Sequence, residues 1–146
     1  MEHALDRFPN STSVDLIFGL SGQTIEKWSK ELDDVLRYPL RHLSLYQLTV
    51  ERGTQLWKDV ESKKTTLPEP DEMADMYELA VEKMAARDLV RYEVSNFAKV
   101  GRECRHNVMG WEGRSYIGVG PGAHSRITPK ADAVARADDI AVNHLV

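Results

Sequence analysis

The residues best suited to chemistry fall in four short stretches. Gly118-Val119-Gly120-Pro121-Gly122-Ala123-His124-Ser125 packs three glycines into five positions. Glycine lets backbone amides approach a ligand closely or take positive φ. Such a run can cradle a carboxylate, a phosphate or a propionate, and it is equally at home as a tight turn after a strand. It is neither a G-x-G-x-x-G dinucleotide fingerprint nor a Walker loop. His106-Asn107 lies close to Cys104 and Trp111. Imidazole can ligate iron axially, and a flat indole can pack against a macrocycle. A hydrogen-bonded surface histidine would look the same, and no His or carboxylate stands four residues on to complete a helical metal site. Cys104 sits between Arg102 and Arg105. Their charge could activate the thiol, or the thiol could be silent. Asp15 is a carboxylate inside an apolar run. Buried acids need partners, so it points either to a ligand hydroxyl or ammonium, or to an arginine within the sheet.

These residues need elements to position them. Ser13 to Gly19 reads as a buried strand. Thr24 can cap the helix that follows, with Glu26 in the first turn, where the dipole favours an anion. Ile25, Trp28, Leu32, Val35 and Leu36 recur at steps of three and four, giving one apolar face as far as Tyr38-Pro39. His42 to Thr49 reads as a second strand. A short helical stretch carries Leu56, Trp57 and Val60. After a proline-bearing connection, Asp71 can cap the longest helix, whose inward stripe is Met73, Met76, Tyr77, Ala80, Val81 and Met84. Those methionines read as gap-filling core. Arg91 to Ser95 is expected as a third strand and Tyr116 to Val119 as a fourth, with a long polar loop, 96–115, between them. Loops of that length are usually functional or disordered. Met1 to Phe8 reads as the end of a helix stopped by Pro9-Asn10-Ser11, and 129–142 has helical periodicity. Alternating strands and helices predict an α/β fold with a parallel sheet, right-handed crossovers and a ligand beyond the carboxyl ends of the strands.

Composition narrows the function. The chain has 146 residues, 42% of them hydrophobic, which is enough for one domain with a real core. Nineteen Lys and Arg against 23 Asp and Glu leave a net charge of −4, so no basic field invites nucleic acid. No apolar run reaches the roughly 18 residues of a membrane span. Residues 1–13 lack the features of a secretory or mitochondrial address. A single cysteine excludes an internal disulfide, and this chain alone cannot supply an iron–sulfur cluster or a thiolate zinc site.

Five ordered blocks then carry a resemblance. They are VDLIFGLSGQT (14–24), HLSLYQLTVERGT (42–54), ADMYELA (74–80), YEVSNFAKVGRECRHN (92–107) and YIGVGPGAHS (116–125). Together the chain resembles the HemW-type haem chaperones, which group with oxygen-independent coproporphyrinogen III oxidases in the radical S-adenosylmethionine (SAM) superfamily. The resemblance implies a partial (β/α) barrel of TIM type with parallel strands and crossover helices. Residues 1–126 would form its later part, and 127–146 an unassigned helical or disordered tail. It implies a four-iron four-sulfur cluster on a C-x-x-x-C-x-x-C motif that this sequence does not contain, and SAM across the strand ends. Asp15 matches an acidic SAM-binding position, and Thr49 one that meets SAM through its backbone. His106, Asn107 and Trp111 match the H-N-x-x-Y-W segment associated with haem, with His106 as the candidate iron ligand. Gly110 stands where that segment has tyrosine, and Ser21 where the family usually has proline.

The function implied is haem binding for transfer to acceptor proteins, in mitochondria for eukaryotic relatives and otherwise in the cytoplasm. The alternative is a porphyrinogen oxidase active only in a longer form, because the chain lacks the cluster cysteines. An incomplete barrel would expose a sheet edge and apolar helix faces, so the isolated chain is expected to be marginal or prone to aggregate.

Overall fold

The computed structural model describes residues 1–128. It divides into two compact units, one of residues 1–104 and one that begins at Arg105.

The first unit is built on a β–α–β crossover. β1 (Ser13–Phe18) and β2 (His42–Gln47) pair in parallel, Ser13 opposite His42 and Phe18 opposite Gln47. α2 (Ile25–Leu36) connects them, and the Thr24 hydroxyl caps it by accepting from Lys27 N–H. Ahead of them, α1 (Glu2–Arg7) is the helix that the opening residues predict, and its Leu5 packs against the core. After β2 come α3 (Gln55–Glu61) and α4 (Pro70–Ala85).

The sheet is mixed, which corrects the expectation of parallel strands throughout. Its order is β1-β2-β4-β3, with β4 (Asn96–Ala98) antiparallel to β2 and β3 (Val90–Arg91) antiparallel to β4. The expected strand from Arg91 to Ser95 does not form. The chain bends at 92–95, where the Glu93 carboxylate accepts hydrogen bonds from Ser95 N–H at 2.8 Å and from the Asn96 side-chain amide. Local side-chain acceptors of this kind draw the backbone out of a ladder. The bend sends the chain back as β4, beside β2.

One face of the sheet meets the helices. Trp28, Leu32 and Leu36 of α2 and Met76, Ala80 and Met84 of α4 are buried against it. Trp28 stacks on Phe18, and its indole N–H donates to the Met76 carbonyl at 2.9 Å, so the largest core side chain is satisfied at both ends. β1 follows the alternation of a one-sided strand: Val14, Leu16 and Phe18 turn toward the core, and Ser13, Asp15 and Ile17 are exposed. β1 is therefore an edge strand with an open face, not one buried on both sides.

Three further expectations are corrected. α4 begins two residues earlier than Asp71 suggests. Glu69 is its N-cap, closed by a capping box with Glu72, because Pro70 is preorganised for the first helical position. The stretch 96–115 is no structureless loop, since it contains β4 and, in the second unit, α5 (Arg105–Trp111). Tyr116 to Val119 is no strand. Only an isolated antiparallel bridge joins Tyr116 to Arg126, and the glycines of 118–122 turn the chain between them. The helical periodicity over 129–142 lies outside the described residues.

Candidate functional site

The open face of the sheet in the first unit is polar, and its rows follow from register. Across the sheet Ser13 stands beside His42, and His42 beside Ala98. One row further on, Asp15 pairs with Ser44 and Ser44 with Asn96. Beyond them Ile17 pairs with Tyr46, both half exposed. Partners in register point to the same face, so a carboxylate, a hydroxyl and a carboxamide lie side by side. Asp15 is exposed there, which corrects the reading of a buried acid. Strand alternation turns it away from the core, so no buried arginine is required.

The buried histidine of this face organises the row beneath. The His42 ring nitrogens lie 2.6 Å from Ser13 Oγ and 2.8 Å from Tyr92 Oη. Tyr92 Oη also accepts from Cys104 N–H at 3.4 Å. Burial pushes the His42 pKa down from its ordinary value, against the pull of the Asp15 and Glu93 carboxylates, which favour the imidazolium. Thr49 is placed elsewhere. Leu48 N–H donates to Phe18 O at 2.9 Å, continuing the ladder, so exposed Thr49 lies beyond the carboxyl ends of both strands while Asp15 sits lower in β1.

His42 does not stand out in the sequence as a site residue. The signal for His42 was present, since in HLSLYQ polar or aromatic residues alternate with leucine. Asn96 falls in Ser95-Asn96-Phe97, a strand end rich in hydrogen-bonding groups, but its strand is three residues long and alternation cannot show which face it takes.

In the second unit His106 lies on α5 and is exposed, and Trp111 is 69% exposed. Asn107 and Trp111 are four residues apart and share one helix face. Gly110 stands four residues after His106 with open space around it, so no side chain one turn on covers that imidazole. The glycine run that follows behaves as a turn. Gly118 N–H donates to Ser125 Oγ at 3.0 Å and Ala123 N–H to Gly120 O, so those two amides are taken up within the loop. A Cβ at Gly118 would lie 2.3 Å from the His124 carbonyl oxygen. Among the described residues no group of three His, Cys, Asp or Glu could hold a metal ion, and no helix is long and apolar enough to cross a membrane.

With this geometry in view, comparisons with known proteins define the class. The fold matches that of a solved structure titled as coproporphyrinogen III oxidase (HemN) from Escherichia coli, a radical SAM enzyme. The TM-score is 0.65 at 22% identity, covering 86% of this chain and 32% of that one. The fold is thus a radical SAM α/β fold in part. No protein-family model matches the sequence. Sequence similarity identifies the group within that class. The chain is 47% identical over 124 residues to the mitochondrial radical S-adenosyl methionine domain-containing protein 1 of Danio rerio, and 39% identical over 115 residues to the heme chaperone HemW of Bacillus subtilis. Those matches cover 85% and 79% of this chain, but the chain spans only 28% and 30% of the relatives' lengths. Over the matched segment the chain is homologous to the HemW-like radical SAM proteins.

Proposed function

We propose that this chain carries the haem-binding surface and part of the SAM-binding surface of a HemW-type haem chaperone, which hands haem to acceptor proteins. One observation carries the reading: similarity to bacterial haem chaperones at 36–39% identity extends over about four-fifths of the chain. In this reading the strands belong to a (β/α) barrel whose lumen is the polar face, and the protein works in mitochondria, where its vertebrate relatives are named.

His106 is the iron ligand and Trp111 the packing surface for the macrocycle, with Asn107 beside them on α5. The exposed imidazole and indole fit that task, and Gly110 in place of a larger residue leaves room beside the ring. On the polar face Asp15 binds SAM through its carboxylate, and Thr49 through its backbone. Both are exposed and hydrogen-bonding, as a polar ligand requires. Bound SAM would supply radical chemistry when paired with a reduced cluster. The one thiol of this chain cannot supply the three cysteines of a C-x-x-x-C-x-x-C motif, so those ligands are not among its residues.

The test is a haem titration followed in the Soret region. Wild-type chain should shift the band, and His106→Ala should weaken binding markedly. Identical spectra for the two proteins would remove His106 as ligand. The fold likeness to the coproporphyrinogen oxidase favours a second reading, a porphyrinogen-processing enzyme. SAM cleavage by a form of the protein containing cluster cysteines would support it.

A further inference from the structure

The row Asp15–Ser44–Asn96 holds one atom that the fold leaves without a partner. Asn96 is only 7% exposed, and its side-chain oxygen is buried with no hydrogen bond. Its amide nitrogen donates to Glu93 Oε1, which also accepts from Ser95 N–H. That contact fixes the orientation of the carboxamide, since reversing it would set its oxygen against a carboxylate. The orphan acceptor therefore stays in place. Leaving a buried acceptor unpaired is costly, and a fold does not keep such a group for its own stability. Neighbouring strands lie about 4.8 Å apart, so the row spans about 10 Å. It sets an exposed carboxylate beside a buried hydroxyl and a buried carbonyl-type oxygen, bordered by the half-exposed Tyr46 ring and Ile17. An acceptor-rich row beside an aromatic surface is complementary to a ligand that carries N–H or O–H donors next to a flat ring.

We infer that Asn96 is a further ligand-recognition residue, whose side-chain oxygen takes a hydrogen bond from an N–H or O–H donor of the molecule bound on this face. This rests on the reading of the polar face as the SAM side. Ser44 lies between Asn96 and Asp15 in the strand register.

SAM itself is the probe, titrated into the whole chain by calorimetry. Binding is mapped in parallel by backbone amide shifts at Asp15, Ser44 and Asn96. Asn96→Leu keeps the volume and removes the acceptor. Glu93→Ala removes the internal partner of Asn96 and leaves the acceptor. Asn96→Leu should weaken SAM about tenfold, the worth of one good hydrogen bond, while Glu93→Ala weakens it much less although both lower thermal stability. If Asn96→Leu binds as wild type while Asp15→Asn binds poorly, the role of Asn96 is overturned and the polar face stands. Equal weakening in Glu93→Ala and Asn96→Leu also overturns it, because it would mark a structural role. No saturable binding by wild type, or shifts confined to other residues, overturns the reading of the face and this inference with it.

Discussion

His42 shows how much one side chain can hold. It is the first residue of β2, yet its two nitrogens contact the first residue of β1 and the ring that follows β3. Burial holds its folded pKa below the ordinary 6.5. In acid the unfolded chain then binds more protons than the folded one, so stability must rise with pH across that interval. The full contribution is present above the ordinary value and is lost as pH falls below it, down to the depressed folded value. Urea midpoints between about pH 5 and about pH 7.5 should climb in wild type, and His42→Gln should flatten that part of the curve. An equal slope in both proteins would locate the titration elsewhere. Gly118 makes a geometric case of the same kind. A methyl group 2.3 Å from the His124 oxygen has no room. Gly118→Ala should open the 116–126 bridge, read as faster proteolysis between those residues, while the urea midpoint of the first unit stays unchanged.

At the scale of elements, the long helices were legible, and α5 and the short strands were not. α2 and α4 declare themselves because apolar residues recur over 12 and 16 positions, and Trp28, Leu32 and Leu36, like Met76, Ala80 and Met84, prove to be the buried ones. β1 and β2 were legible as strands, but the side Asp15 would face was not, since an apolar run of this length fits a one-sided or a two-sided strand. β3 and β4 have two and three residues, too few for alternation to register, and their pairing depends on a bend made by Glu93. The polar row could not be found without that pairing, because Asn96 reaches the face only through β4. The start of α4 was misplaced for a similar reason: the capping box is a reciprocal contact of Glu69 and Glu72 that residue type alone assigns equally well to Asp71. Its contribution is measurable. Glu72→Ala removes the acceptor of Glu69 N–H at 2.8 Å and should cost about 0.5–2 kcal/mol, the range for lost caps. Because α4 buries Met76 and Met84, the loss should appear in the global urea midpoint. A change confined to local amide exchange at 69–73 would mean that the first turn frays without consequence for the core.

For the molecule as a whole, the sheet ends at β1 with a strand six residues long that has no neighbour on its outer side among the described residues. Its backbone there presents unpaired donors and acceptors, and the strand carries neither proline nor lysine to discourage pairing. Ile17, half exposed near its end, adds apolar surface to the same edge. Relatives that this chain matches over 28–30% of their length surround the equivalent segment with much more chain. A strand with this edge should recruit another copy. Light scattering of the 146-residue chain should therefore rise with concentration, and thermal unfolding should be broad and poorly reversible. Ile17→Lys places a charge on the edge where the wild-type side chain is already half in water. It should shift the population toward monomer and sharpen the melt with little change in the urea midpoint. A wild-type chain that stays monomeric and melts in one sharp, reversible step would show that the β1 edge is adequately protected in solution, and the expectation of association would fall. If Ile17→Lys fails to reduce association in a chain that does associate, the contact lies away from the β1 edge, and the next surface to test is the exposed apolar group of Ile117, Val119 and Ile127 in the second unit.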